Sequence, residues 1–266
     1  MFRLIKKDGL EYYTIDAFER TGLVRHCFST KRGGVSSGIY SSMNLRFHCD
    51  DKRENIEKNF EILCSGIGID VKTAVLSNQV HEDKIVNVGK NDCGNGLFFE
   101  NKFSSADGLI TDEPEVALIT FYADCVPLFF LDKEKKVIAL VHSGWRGTVA
   151  RIAEKAVDKF RADYHSRPED ILVGIGPSIR KCHFEVGDDV AEIFRREFGD
   201  DIVISEDGKP HVDMQGAVTK TLLESGILNA NITDSGICTY CNSDLLFSHR
   251  KTMGKRGNLA AVMSLK

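Results

Sequence analysis

Residues 116–142 read VALITFYADCVPLFFLDKEKKVIALVH, three near-continuous apolar runs broken at Ala123-Asp124-Cys125 and again over Asp132 to Lys136. Runs of this length without polar alternation predict strands covered on both faces. The chain continues as SGWRG (143–147), which stops the third strand, and Thr148 is placed to cap a helix with Ile152, Ala156, Val157 and Phe160 on one side. Strand, glycine loop and helix therefore follow in that order. The order recurs in ILVGIGP (171–177), a strand running into a loop, and GDDVAEIFRREFG (187–199), a helix whose Asp188 and Asp189 complement its dipole.

Further out, DKRENIEKNFEILC (51–64) carries Ile56, Phe60 and Leu63 at helical spacing before Gly66 and Gly68. AVLSNQVH (74–81) and KIVNV (84–88) are short and β-branched on either side of a charged turn, which predicts a hairpin. A helix over 213–225 and short strands near 231–238 and 258–265 complete the pattern. Helices and strands are mixed rather than strictly alternating, so the expected class is α+β. No linker or repeat divides the chain, and one continuous domain over 1–266 is expected.

A chain of 266 residues buries roughly three-quarters of the surface its unfolded form exposes, so its eight cysteines are not needed as staples. The formal charge of -4 gives no general drive toward nucleic acid or anionic lipid. No apolar run approaches ~18 residues, and MFRLIKKDGLEYY lacks the apolar core of a signal peptide. A cytoplasmic protein with reduced thiols is the expectation. The pair in CTYC (238–241) has no second CxxC and no thioredoxin-like context, and it reads as structural.

Chemistry is expected where buried strands stop. His81 ends NQVH, Cys125 follows Asp124 in the break between strands, and His142 ends VIALVH. Two imidazoles and a thiolate suit Zn²⁺ with its fourth position open, although the sequence gaps match no local metal motif. Taken singly, each histidine reads more readily as a hydrogen-bonded turn residue than as a ligand, and the cysteine as a small buried hydrophobe.

The strings NQVH (78–81), SADGLIT (105–111), ADCVP (123–127), HSGWRGT (142–148), GIGPSI (174–179) and FEVG (184–187) occur in this order. With FSTKRGGVSSG (28–38), MNLRFHCDD (43–51) and CTYCNSDLLFSHR (238–250), they resemble the polyphenol oxidase or laccase-domain family, also regarded as a bacterial purine nucleoside phosphorylase family. The resemblance implies two β-sheets packed together and flanked by helices, a four-layer αββα fold. It implies a metal on His81, Cys125 and His142, and it implies phosphorolysis of adenosine, inosine, guanosine and methylthioadenosine, with deamination of adenosine. Zinc is the expected cofactor, with copper also compatible.

Asp124 and Glu185 are candidate proton carriers if burial raises their pKa. Arg146 and Arg250 are the leading cations for phosphate, joined by Lys31, by backbone donors near Gly33-Gly34 and by the loop GIGPS. His48 resembles a recurrent family position, and Gln79 is placed to fix the loop that presents His81. Asp107 reads as an Asx turn before Gly108. Lys31, Phe60 and Asn258 stand where the family often has arginine, which weakens an anion site built there.

Three other readings remain open at this point. A copper-dependent polyphenol oxidase is one, although none of the eight histidines forms a His-x-His pair. A metal-free Cys125–His142 thiol hydrolase or deamidase is the second. The third is a non-catalytic nucleoside-binding module.

Overall fold

The computed structural model describes residues 1–266. One sheet contains β1 (Phe2–Lys7), β2 (Leu10–Ile15), β3 (Val24–Ser29), β4 (Ala74–Leu76), β7 (Ala117–Tyr122) and β14 (Leu259–Leu265), in the order β1-β2-β3-β14-β7-β4. A second contains β5 (Ile85–Asn87), β6 (Gly108–Thr111), β8 (Val126–Asp132), β9 (Val137–Ser143), β10 (Ile171–Ile175) and β13 (Ile232–Asp234), in the order β13-β10-β8-β9-β6-β5. β11 (Val203–Glu206) and β12 (Lys209–Val212) form a separate hairpin. The helices are α1 (Asp16–Glu19), α2 (Arg53–Gly66), α3 (Trp145–Val149), α4 (Ile152–Tyr164), α5 (Asp188–Phe198), α6 (Met214–Glu224) and α7 (His249–Thr252). None of them is long and apolar enough to cross a membrane.

The apolar runs divide their side chains between two cores, as the two-residue period of a strand requires. Leu128 and Phe130 of β8, with Val137, Ala139 and Val141 of β9, pack against Ala156 and Phe160 of α4 and Leu222 of α6. Their neighbours Phe129, Leu131, Ile138 and Leu140 face the other way and meet Leu118 of β7 and Ala261 and Met263 of β14. The outer face of the first sheet, including Ile119 and Val262, is covered by Ile56, Phe60 and Leu63 of α2. Helix, sheet, sheet and helix are therefore stacked as four layers, the α+β arrangement that the family resemblance implies.

Two local expectations are corrected. Residues 74–81 and 84–88 do not form a hairpin: β4 pairs in parallel with β7, whereas β5 pairs in parallel with β6 in the other sheet. The turn between them carries the chain from one sheet to the other. Likewise, Ala123–Cys125 is a crossing point, since β7 and β8 lie in different sheets. Thr148 does not cap α4. It sits inside α3 and donates its hydroxyl to the Gly144 carbonyl at 3.0 Å, while Arg151, at φ 57°, separates α3 from α4.

His26 shows how tightly the inter-sheet core is closed. Its Nε2 accepts a hydrogen bond from the Ile15 N–H at 2.8 Å, and its ring lies 5.3 Å from Phe18 and 6.4 Å from Phe129 between centroids. Burial, reinforced by Lys266, pushes its pKa down to about 3. The Glu19 carboxylate lies 3.4 Å from Nδ1 but is half exposed, and it does not offset the desolvation. The unfolded chain takes up a proton near pH ~6.5 that the folded His26 refuses, so its contribution is complete above that pH and is lost as pH falls toward 3. Urea unfolding of His26→Gln, which keeps an acceptor for Ile15 but cannot titrate, is expected to lose about 2–3 kcal/mol less than wild type between neutral pH and about pH 4.5.

Candidate metal centre and its cavity

His142 occupies the end of β9, Cys125 ends the step from β7 into β8, and His81 lies on the segment leaving β4. Their ligand atoms all lie within 4.8 Å of one another. The two imidazoles meet edge to face, with centroids 4.9 Å apart and planes at 89°. Gly144 makes this approach possible: a Cβ there would stand 3.1 Å from His81 and 3.6 Å from both the Cys125 sulfur and His142. Any side chain at 144 would crowd the donor set.

Asp107, fully buried at the start of β6, organises the donors. Its carboxylate accepts the Nδ1–H of His142 at 2.8 Å, which leaves Nε2 as the ring nitrogen that a metal could take in exchange for its proton. It also accepts the backbone N–H groups of Val80, His81 and Glu82, each at 3.0 Å. Burial alone would raise this carboxyl, but the bond from His142 and the backbone donors outweigh it and hold it below the ordinary range. His81 itself takes φ 64°, an uncommon conformation for a residue other than glycine, and the three N–H bonds to Asp107 hold its segment there. Burial likewise opposes the Cys125 thiolate and the His142 imidazolium. The attraction between these two groups reverses both effects, so Cys125 titrates low and His142 high.

The three donors lie on the wall of a cavity of about 750 Å³. Its apolar side includes Leu45, Phe47, Leu76 and Phe121, with the exposed Phe98 and Phe99 at the rim. Its polar side includes Arg46, His48 and Arg256. Neither Arg46 nor Arg256 has a carboxylate within 4.0 Å. Arg256 donates to the Gly257 carbonyl at 3.1 Å and to Asn258, and its Nε is buried without a partner. Burial, and then the charge of Arg46, push its pKa down to about 10, so it remains cationic at neutral pH.

The remaining sequence-derived candidates fall into two groups. His48 and Gln79 line the cavity with the triad. Gln79 accepts the Phe121 N–H at 2.7 Å and donates to the Phe121 carbonyl at 2.8 Å, tying the His81 segment to β7. The others lie outside the cavity lining. Asp124 is buried behind Cys125, and its two oxygens accept the Thr239 hydroxyl at 2.6 Å and the Arg250 N–H at 2.7 Å. Glu185 is an exposed partner of Lys209 at 2.9 Å, which lowers its pKa rather than raising it. Arg146 is exposed and stacks on Trp145, 4.4 Å from its ring centroid. The Arg250 guanidinium grips the carbonyls of His183 and Glu185 at 3.3 and 2.9 Å, and Lys31 donates to the Ser243 carbonyl at 2.6 Å.

The glycine loops are also occupied internally. The Gly34 N–H is bonded to Ser42 Oγ and the Gly176 N–H to the Pro127 carbonyl. Of the cations that do reach the cavity, Arg53 is paired with Glu57 at 2.6 Å, and the two without an acidic partner, Arg46 and Arg256, were missed. Their one visible signal is that Arg46 falls inside MNLRFHCDD, two residues before His48.

A second donor group stands apart from the first. Cys182, His183, Cys238 and Cys241 bring their ligand atoms within 4.8 Å of one another. CTYC is therefore not an isolated pair, because the fold supplies Cys182-His183 from a distant loop.

The fold has clear counterparts. The chain is similar to purine nucleoside phosphorylase YlmD of Bacillus subtilis, at 32% identity over 243 residues covering 90% of this chain and 87% of that protein. It is similar to a purine nucleoside phosphorylase of Bacteroides thetaiotaomicron, at 33% identity over 258 residues covering 95% and 94%. The crystal structure of YlmD from Geobacillus stearothermophilus matches with a TM-score of 0.90 and 32% identity, covering 100% of this chain and 98% of that one. YfiH of Bacillus licheniformis gives a TM-score of 0.92 at 31% identity, covering 100% and 99%. A family described as multi-copper polyphenol oxidoreductase laccase matches residues 25–266, and the chain belongs to that family.

Proposed function

We propose that this chain is a zinc-dependent purine nucleoside phosphorylase, working in the cavity bounded by His81, Cys125 and His142. The observation that carries the reading is one cavity holding both an open three-donor set and two arginines without acidic partners. The relatives named as purine nucleoside phosphorylases support it.

The donor chemistry fits a metal. Cys125 is favoured as a thiolate, and His142 is locked by Asp107 in the tautomer that presents Nε2, as histidine ligands are in zinc sites. When bound, Zn²⁺ supplies a Lewis acid with a position left open for substrate, a feature that also serves deamination of adenosine.

Everything else is work for the chain. Phosphorolysis joins a phosphate oxygen to C1′ of the ribose and breaks the bond from C1′ to the purine, which leaves with its bonding electrons and is protonated. The phosphate must therefore be held as an anion against the sugar. Arg46 and Arg256 would do this, with the buried Nε of Arg256 as a ready donor. Phe47, Phe121 and the rim aromatics Phe98 and Phe99 offer flat apolar surface to a purine. A volume of about 750 Å³ lies inside the usual range of about 300–1,000 Å³ for small-ligand sites. Adenosine, inosine, guanosine and methylthioadenosine are the substrates proposed, and Asp124 is assigned a positioning role behind Cys125.

The deciding experiment follows adenosine with and without phosphate in the zinc-loaded protein. Adenine appearing only with phosphate, and lost in Cys125→Ala, is the expected result. Inosine formed without phosphate assigns deamination to the same site. Zinc-loaded, folded protein that turns over no nucleoside overturns the proposal, and oxidation of phenols by a copper-loaded form alone would assign the polyphenol oxidase reading.

Arg46→Ala and Arg256→Ala are each expected to raise KM for phosphate by roughly 10–100-fold, the loss of one or two charge-assisted hydrogen bonds. Nucleoside affinity, read by titration without phosphate, should change far less. Asp107→Asn is expected to weaken zinc binding by roughly 10–100-fold against a competing chelator, with circular dichroism confirming that the sheets persist.

A further inference from the structure

We infer that Cys182, His183, Cys238 and Cys241 form a second metal site, a closed four-ligand Cys₃His centre for Zn²⁺ that clamps two loops together. It shares no ligand with the triad and does not rest on the reaction proposed for it.

The distances carry the assignment. Cys182 Sγ and Cys241 Sγ stand 3.8 Å apart, and His183 Nδ1 lies 3.2 Å from Cys182 Sγ and 3.4 Å from Cys241 Sγ. Zinc bonds of about 2.3 Å to sulfur and 2.0–2.1 Å to nitrogen give tetrahedral edges of about 3.8 Å between sulfurs and about 3.6 Å between sulfur and nitrogen. A disulfide would need about 2.05 Å between sulfurs. The group therefore has the spacing of ligands around a small ion rather than of bonded sulfurs. With four protein donors no position is left for substrate, which marks a structural site.

The surroundings hold the four donors in place. Tyr240, inside CTYC, stacks on the His183 ring at 3.9 Å and 19° and so fixes its plane. The Ser178 N–H bonds to the Ile237 carbonyl and the Thr239 N–H to the Ser178 carbonyl, joining the two loops just ahead of their cysteines. The Asn242 side chain and backbone N–H groups both bond the Cys238 carbonyl, at 2.8 and 3.0 Å, closing the turn between Cys238 and Cys241.

The clamp also bears on the first centre. Thr239, between two of the ligands, donates to Asp124, and Arg250 reaches from the Asp124 carboxylate to the His183 carbonyl. Asp124 adjoins Cys125, so the second centre stiffens the loop behind the first.

Metal content of the full chain, purified with zinc and dialysed, tests this directly. Two zinc ions per chain are expected in wild type, one in Cys125→Ala/His142→Ala and one in Cys182→Ser/Cys241→Ser. Cobalt substitution of the triad variant supplies a readout that needs no change at the new site: thiolate-to-cobalt charge-transfer absorption and intense tetrahedral bands are expected there. One zinc in wild type and none in the triad variant overturns the proposal, as does a triad variant that takes up cobalt without those bands. Overturning also follows if intact mass after alkylation shows two hydrogens missing from this cysteine group in place of a second metal.

Discussion

The carboxylate of Asp107 is the constraint on which the first centre depends. It stands at the start of β6 in one sheet and receives His142 from the end of the neighbouring β9, so the His142 ligand is fixed within a rigid sheet. Its other bonds reach out to the backbone of residues 80–82, which arrive from the opposite sheet. One buried charge thus sets a tautomer, holds a left-handed residue and spans two sheets. Its desolvation is offset only because all four donors converge on it, and this convergence makes the geometry all-or-none rather than graded.

The centre also explains why the chain crosses between sheets where it does. Cys125 sits at the crossing from β7 to β8, and His81 sits on the segment that carries the chain from β4 toward β5. Backbone leaving a sheet is released from ladder pairing and can aim side chains inward, while the sheets on either side fix its ends. The donors consequently gather at strand ends, where the two sheets exchange chain. Glycine at 144 is the complement of this crowding, an absence of side chain where three ligands converge.

Much of this was legible in the sequence, for identifiable reasons. The runs over 116–142 have the composition of strands buried on both faces, and the split of Leu128 and Phe130 from Phe129 and Leu131 is the physical cause. The helices at α2, α5 and α6 carried clear periodicity or an acidic start. The supposed hairpin failed because a charged turn between two short β-branched runs looks the same whether the runs pair with each other or with parallel partners elsewhere. Asp107 read as a local turn residue because its partners, 25 to 35 residues away in sequence, are set by topology. Arg256 and the pairing of Cys182-His183 with CTYC were hidden for the same reason, since spacing along the chain carries no trace of a loop-to-loop contact.

The place of β14 in the first sheet has a consequence for biosynthesis. Residues 259–265 lie between β3 and β7 as an inner strand, although they are made after every other strand of the sheet. A ribosome-bound chain that has released only residues 1–255 exposes the unpaired edges of both β3 and β7, and it lacks Arg256 at the cavity wall. Such open edges invite pairing with other chains. The nascent protein is thus incomplete at its cavity and at its most aggregation-prone until residues 256–265 emerge, so the first sheet closes only after all its other strands have been made.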